Sequence, residues 1–296
     1  MHRPVQTPRK WRQPVLPERP TAGVAFVALT GAALEQIGAN VAGAAAGRDP
    51  EYLHQLRVGV RRLRSVLSAF RKLLRRRRAA VVELPWRGMM SILGETRDWD
   101  VFLVSLPAGA LREEAATRRT DAQRVVRALL RSENFRRARK ETHAQIQRGL
   151  WRRSADPAEP LAHFARRALR KLHDGLRDTA EGIDWRDAAR RHRVRICVKR
   201  IRYACDFFAS GFPARRTKPY LEALRVLQDI LGDMNDIEVQ RGLLRRLAPR
   251  RSPLGAVRAE AVVRASLAAR EHELIAALEP AWRGFESGRP FWSYPK

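Results

Sequence analysis

The sequence predicts an all-α protein made of two similar helical halves, and three observations carry that prediction. Apolar residues recur at helical spacing along nearly the whole chain after residue 20, and no segment alternates with period two for long enough to make a strand. The chain also states one stretch twice. His54-Gln55-Leu56-Arg57-Val58-Gly59-Val60-Arg61-Arg62-Leu63-Arg64 returns as His192-Arg193-Val194-Arg195-Ile196-Cys197-Val198-Lys199-Arg200-Ile201-Arg202, each residue 138 positions after its counterpart. A shorter element, Leu93-Gly94-Glu95-Thr96-Arg97-Asp98-Trp99-Asp100-Val101, is answered at the same offset by Leu231-Gly232-Asp233-Met234-Asn235-Asp236-Ile237-Glu238-Val239. Two elements sharing one offset mark an internal duplication, with a first half over 21–155 and a second over 156–293, packed as one domain.

Residues 1–20 hold Pro4, Pro8, Pro14, Pro17 and Pro20 among basic residues. That composition cannot build a core and predicts a flexible basic arm. A first helix is expected over Thr21–Ala46. Its apolar run resembles a signal peptide, but Glu35, Gln36 and Asn40 interrupt it while Val27, Leu34, Ile37 and Val41 keep helical spacing, which favours an amphipathic helix. Asp49 is a candidate N-cap, with Pro50 at the first position of a helix expected to reach Arg78. Pro85 is expected to open the next helix, ending near Pro107. Val125, Leu129, Phe135, Ile146 and Leu150 support two further helices joined near Ser132-Glu133, and Asp156-Pro157 with Glu159-Pro160 mark a linker. The second half repeats the plan: Leu161–Glu181, a turn at Gly182-Ile183-Asp184, Asp187–Ser210 stopped by Gly211 and Pro213, Lys218–Leu247, and a long closing helix over Pro253–Phe285.

The formal net charge is +28 and the pI about 11.6 over 296 residues. Like charge at this density opposes compaction and calls for a polyanionic partner. Only Lys10, Lys72, Lys140, Lys171, Lys199, Lys218 and Lys296 of the 59 basic residues are lysine. Guanidinium suits bidentate phosphate contacts, although a GC-rich genome explains part of such a bias. Cys197 and Cys205, roughly 12 Å apart along one expected helix, cannot form a disulfide and read as reduced core thiols of a cytosolic protein. No run approaches the ~18 uncharged apolar residues of a membrane span.

At 100° per residue from His54, Leu56, Val60, Leu63 and Leu67 cluster at about 180° to 240°, which must be the core side. Arg57, Arg61, Arg64, Ser68, Arg71 and Arg75 fall at about 260° to 340°, with His54 and Lys72 near 0°, so they form a stripe along the rim of the apolar face. The second copy sets His192, Arg195, Lys199 and Arg202 in the same relation to Val194, Val198, Ile201 and Cys205. An ordinary solvated face mixes signs, whereas stacked like charges cost about 0.2–0.5 kcal/mol per i, i+4 pair, which argues for a ligand. The first stripe would run about 30 Å, a length suited to an extended anionic polymer.

The histidines have two open roles, phosphate hydrogen-bond donor or helix-start packing, with catalysis a weaker third. Gly94 and Gly232 cost about 1 kcal/mol inside helices, which points to a close helix neighbour. Asp98, Asp100, Asp233, Asp236 and Glu238 either orient the arginines or, less readily, bind a divalent metal. Arg97 can join the anion site, but its counterpart Asn235 carries no charge.

These residues are similar to a known family, CHAD, the conserved histidine α-helical domain. The similarity is carried by Asp49 to Val58 with Arg61-Arg62-Leu63-Arg64, by Leu93-Gly94 with Arg97 to Val101, by His192 to Arg202 with Leu231-Gly232, and by the closing Trp282, Phe285 and Phe291-Trp292. The resemblance, over residues 21–293, implies two pseudo-two-fold-related helical bundles around a basic central channel that binds inorganic polyphosphate without catalysis. The residues expected to bind are His54, Arg57, Arg61, Arg62, Arg64, Arg71, Arg75, Arg97, His192, Arg195, Lys199, Arg200 and Arg202, with no cofactor or metal. A cytoplasmic location at polyphosphate granules follows from the same resemblance. Two departures stand out: Gly59 should loosen the first signature helix, and Lys199 replaces the counterpart of Arg61. The competing classes are a nucleic-acid binder, which other polyanion binding would permit but which lacks interleaved aromatics, and a Mg-dependent phosphohydrolase, which lacks a glycine-rich phosphate loop.

Overall fold

The computed structural model describes residues 7–247 and 254–293. Among them are nine α-helices and no strand, apart from a single bridge between Leu74 and Trp151. The helices are α1 (Ala22–Ala46), α2 (Pro50–Ala69), α3 (Arg76–Ser105), α4 (Ala110–Arg131), α5 (Glu133–Gln147), α6 (Leu161–Ala180), α7 (Ala188–Phe208), α8 (Ala214–Leu247) and α9 (Leu254–Glu286). The chain divides into two compact units, Met1–Val104 with Ala115–Glu159 and Ser105–Glu114 with Pro160–Lys296. The segment Ser105–Glu114 thus groups with the second unit, which a boundary drawn at one linker does not anticipate.

In the first unit α1 packs against α2 and α5. It is apolar and long enough to cross a membrane by composition, yet Phe26, Leu29, Ala33 and Ile37 are fully buried and its buried Gln36 and Asn40 both donate hydrogen bonds inside the fold. Gln36 donates to Gln55 Oε1 at 2.9 Å, and Asn40 Nδ2 donates to its own helix at Gln36 O, 2.7 Å. The α1–α2 crossing is close at Gly59, where a Cβ would lie 2.9 Å from Ile37 Cγ1 and 3.2 Å from Ile37 N. Gly59 therefore tightens the pair instead of loosening α2. The C-terminal carbonyls of α1, orphaned by helix geometry, are taken by α4 side chains: Gln123 to Ala44 O at 2.8 Å, Arg127 to Ala45 O at 3.0 Å and Arg119 to Gly47 O at 3.3 Å.

Thr21, Asp49, Ser132 and Asp187 are the side-chain N-caps of α1, α2, α5 and α7. Asp49 and Asp187 occupy matched repeat positions, and α2 and α3 begin 138 residues before α7 and α8. Three boundaries differ from expectation by more than two residues, one of them the start of α8 at Ala214 instead of Lys218, which leaves Pro219 inside it. α2 stops at Ala69 instead of Arg78, because Phe70 packs edge-on to Phe26 at 5.6 Å and the next residues pair with Leu150–Arg152. α3 begins at Arg76, so Pro85 lies inside it. Late in α4 the buried apolar residues are Val126 and Leu130, one position on from the expected Val125 and Leu129; Val125 is exposed.

The second unit packs α6 on α7, α7 on α8 and α8 on α9. Its closing core is aromatic: Tyr220, Phe285, Phe291 and Trp292 meet edge to face around His173, whose Nδ1 is 2.9 Å from the Tyr220 hydroxyl. The first six residues of the expected arm lie outside the described residues. From residue 7 the arm runs without helix, and Arg9 exchanges hydrogen bonds with Asn40 at 3.0 and 2.9 Å.

Candidate functional site

The four core residues expected on α2, Leu56, Val60, Leu63 and Leu67, are buried, as are Val194, Val198, Ile201 and Cys205 on α7. That fixes the azimuth of each helix. Arg57, Arg61 and Arg64 on α2, and Arg195, Lys199 and Arg202 on α7, consequently stand half-buried at the rim of the apolar face.

Within the first unit, Arg57 donates to Gly94 O at 3.5 Å and lies 3.7 Å from Asp98, so α3 steers it from both backbone and side chain. Gly94 has no tight helix neighbour: a Cβ there would meet only Arg57 Nη2, at 3.8 Å. That is an ordinary contact distance, so no close neighbour requires glycine at Gly94, and Gly232 has nothing within 4 Å. Arg64 pairs with Glu83 at 3.4 Å. Arg61 makes no side-chain hydrogen bond or ion pair among the described residues, and neither does Arg97. His54 sits half-buried among these cations. Burial first, then Arg97, Arg61 and Arg57, hold its pKa below 6.5 against the opposing Glu51, so the ring is neutral at pH 7 and offers one N–H donor.

In the second unit, His192 and Arg195 line a shallow cleft with Leu231, Met234, Asn235 and Glu238, so the second signature helix and the second Leu-Gly element meet at one surface. His192 is exposed. Arg202 lies 3.6 Å from Asp206.

Four expected members stand elsewhere. Arg62 is turned from the stripe, with its guanidinium 4.6 Å from the Trp11 ring centroid in a cation–π contact. Arg200 is exposed on the outer side of α7. Arg71 and Arg75 leave the stripe because α2 ends before them; Arg75 bonds to Leu150 O through its N–H at 2.6 Å and to Trp151 O through Nε at 3.0 Å. The helical stripe is therefore shorter than the expected 30 Å, about 15 Å from His54 to Arg64.

The acidic set divides as well. Only Asp98 approaches a signature-helix arginine. Asp100 binds Arg119 at 2.9 Å, Asp233 binds Arg270 at 3.2 Å and Glu238 binds Arg241 at 2.9 Å. No three His, Cys, Asp or Glu side chains gather in a metal-holding group among the described residues.

One arginine of the repeat has a role that spacing conceals. Arg191, next to His192, is only 6% exposed; it donates to Trp185 O at 2.7 Å, to Arg186 O at 2.9 Å and to Glu271 at 3.1 Å. Glu271 also takes Arg241 at 2.7 Å. Arg191 is a structural strut. Helical spacing does not set it apart, because at i, i+4 it shares a face with Arg195 one turn further on.

Known proteins resemble this chain in sequence and in structure. The CHAD domain model matches residues 28–245. The crystal structure of the CHAD domain from the plant Ricinus communis aligns at 32% identity and a TM-score of 0.79, over 96% of this chain and 98% of that one. PptA from Streptomyces chartreusis aligns at 16% identity and a TM-score of 0.70, over 89% and 99%, a likeness of fold. A search of curated proteins finds no match. With the duplicated histidine-led helices in place and the family model spanning most of the sequence, this chain belongs to the CHAD family, a family associated with polyphosphate.

Proposed function

We propose that the protein binds inorganic polyphosphate without turning it over, through Arg57, Arg61, Arg64, Arg97 and His54 in the first unit and Arg195, Lys199, Arg202 and His192 in the second. One observation supports this reading above the others: on each signature helix the rim beside the core is cationic. Rim side chains are partly desolvated and pre-positioned by the helix, which strengthens charge-assisted hydrogen bonds to phosphate. A neutral His54 adds a donor without further repulsion in the free protein. A bound chain would release counterions, so affinity should fall steeply with salt. Inside the cell, granules of the same polymer are the proposed location, in the cytoplasm.

Nucleic acid is the alternative. The candidate surfaces carry no exposed ring on which bases could stack, since Phe70, Phe207 and Phe208 are buried. The test is titration with long-chain polyphosphate and with single- and double-stranded DNA at matched phosphate concentration and two salt levels, with phosphate release assayed with and without Mg²⁺. Tighter binding of polyphosphate and no release are expected. Equal affinity for DNA would sink the reading, and so would Mg-dependent release.

A further inference from the structure

The residues that α2 sheds when it ends early form a second basic surface. Arg71 and Lys72 lie on the turn after α2, Arg76, Arg77 and Arg78 on the first turn of α3, and Arg152 and Arg153 on the segment after α5. They line two adjoining hollows that share Arg76 and Arg152 as a common wall. Glu83 is the one carboxylate among the described lining residues, and it is already engaged by Arg64 at 3.4 Å.

The platform beneath these charges is rigid. Arg75 N donates to Leu150 O at 2.6 Å and Arg152 N to Leu73 O at 2.8 Å, a backbone staple on either side of the Leu74–Trp151 bridge. Trp151 is anchored edge-on to Phe26 at 5.3 Å, and Phe70, Leu73 and Leu74 are buried below. Arg71, Lys72, Arg76, Arg77, Arg152 and Arg153 make no side-chain hydrogen bond or ion pair among the described residues. Arg78 reaches only a neutral carbonyl, Gly149 O, at 3.4 Å. The first turn of α3 carries no acid either, although cations at a helix N-terminus are disfavoured by about 0.3–1 kcal/mol each. Solvated surfaces relieve such crowding with interspersed carboxylates, as α8 does with Glu222, Arg225 and Asp229.

We infer that this corner of the first unit, built from the α2–α3 turn and the backbone after α5, is a second contact for a phosphate chain, separate from the signature stripe. The inference rests on the polyphosphate reading. Two joined cationic hollows suit closely repeated phosphates more than one isolated anion; of the rings nearby, Phe70 and Trp86 are buried, and the half-buried Trp151 is held edge-on by Phe26, which leaves no row of exposed rings for successive bases.

The test compares the full-length protein with two variants. The corner variant carries Arg71→Gln, Lys72→Gln, Arg76→Gln and Arg152→Gln; the staple uses the backbone of Arg152, so its side chain is dispensable for folding. The stripe variant carries Arg57→Gln, Arg61→Gln, Arg195→Gln and Lys199→Gln. Binding of long-chain polyphosphate and of a single-stranded DNA is measured across a salt series, with circular dichroism and melting as folding controls. Each phosphate contact on a single-stranded polyanion contributes about 0.7 to the slope of log K against log salt, so the corner variant should lose roughly 3 from that slope if all four cations bind. A corner variant with wild-type slope and affinity overturns the inference. A loss confined to DNA overturns it too, by making the corner a nucleic-acid site. Wild-type protein that does not prefer polyphosphate would sink the proposed function instead, whatever the corner variant does.

Discussion

Arg191 and Arg61 sit in equivalent-looking basic runs, yet one is buried in a hydrogen-bonded network and the other is a proposed phosphate ligand, and replacing each by methionine separates the two. Arg191→Met removes a buried guanidinium and strands Trp185 O, Arg186 O and one bond to Glu271. Breaking one partner of a buried pair costs about 3–5 kcal/mol, and Arg241 remains to hold Glu271, which places the expectation at the lower end, near 3 kcal/mol. At about 2–4 °C per kcal/mol for a domain of this size, melting should fall by roughly 6–12 °C. Arg61→Met removes a guanidinium that makes no side-chain hydrogen bond or ion pair among the described residues, so its melting should move by less than about 0.5 kcal/mol equivalent, as for an ordinary surface change. Polyphosphate affinity should respond in the reverse order. Losing one hydrogen bond to a charged group costs about 1.5–3 kcal/mol, or ~10- to 100-fold in affinity for Arg61→Met, with Arg191→Met within a few fold once measured below its own melting range. Differential scanning calorimetry and a binding titration on the same preparations decide it. If Arg191→Met melts with wild type, or Arg61→Met melts as low as Arg191→Met, the division into strut and ligand is wrong.

Gly59→Val should cost about 1–3 kcal/mol by overpacking against Ile37, read as a lower urea midpoint with unchanged slope. Binding of polyphosphate places negative charge beside His54, whose free-state pKa is held below 6.5, so the complex should take up a proton and affinity should rise as pH falls from 7 to 6. Calorimetry in buffers of different ionisation enthalpy measures that uptake, and His54→Gln should abolish it. His173 is kept neutral mainly by burial, with Asp174 opposing and Arg177 reinforcing it, so its contribution to stability is present above pH 6.5 and lost as pH falls through its lowered folded value. Melting across pH 5–8 should show that loss in wild type and less of it in His173→Gln. Tyr220→Phe, which leaves His173 Nδ1 without its hydroxyl partner, should destabilise by about 1–3 kcal/mol.

Helix existence, order and caps were legible in the sequence because local chemistry decides them: Asp49 and Asp187 cap where their repeat positions say, and the apolar stripes of α2 and α7 bury as the 3.6-residue period requires. The end of α2 was not legible. Leu67, Phe70, Leu73 and Leu74 satisfy a helical period, and only their contacts with Phe26 and Leu150–Arg152, distant in sequence, turn the chain. The same blindness hid Arg191. Its neighbours in sequence are cationic, and its carboxylate partner lies 80 residues away. Gly59 was misjudged because glycine's helix cost is local, whereas the crossing with α1 that requires it is not.

The pairing of acids explains where this charge can go. Asp100, Asp233, Glu238, Glu260 and Glu271 are taken up by arginines off the two stripes, and Glu271 holds two at once. On the stripes the ion pairs are longer, Arg64 with Glu83 at 3.4 Å and Arg202 with Asp206 at 3.6 Å. Among the described residues Arg61 and Arg97 make no side-chain hydrogen bond or ion pair, and Arg57 lies 3.7 Å from Asp98, longer than a charge-assisted hydrogen bond. A fold that needed those cations only for solubility would gain by interspersing carboxylates, as the outer faces of α8 and α9 do. Crowding like charge on partly buried rim positions raises the free energy of the empty protein, and an incoming polyanion relieves it. If the proposed function holds, the repulsion of the unbound state is part of the affinity, and neutralising substitutions on the stripes should weaken binding while raising, or leaving unchanged, the stability of the free protein.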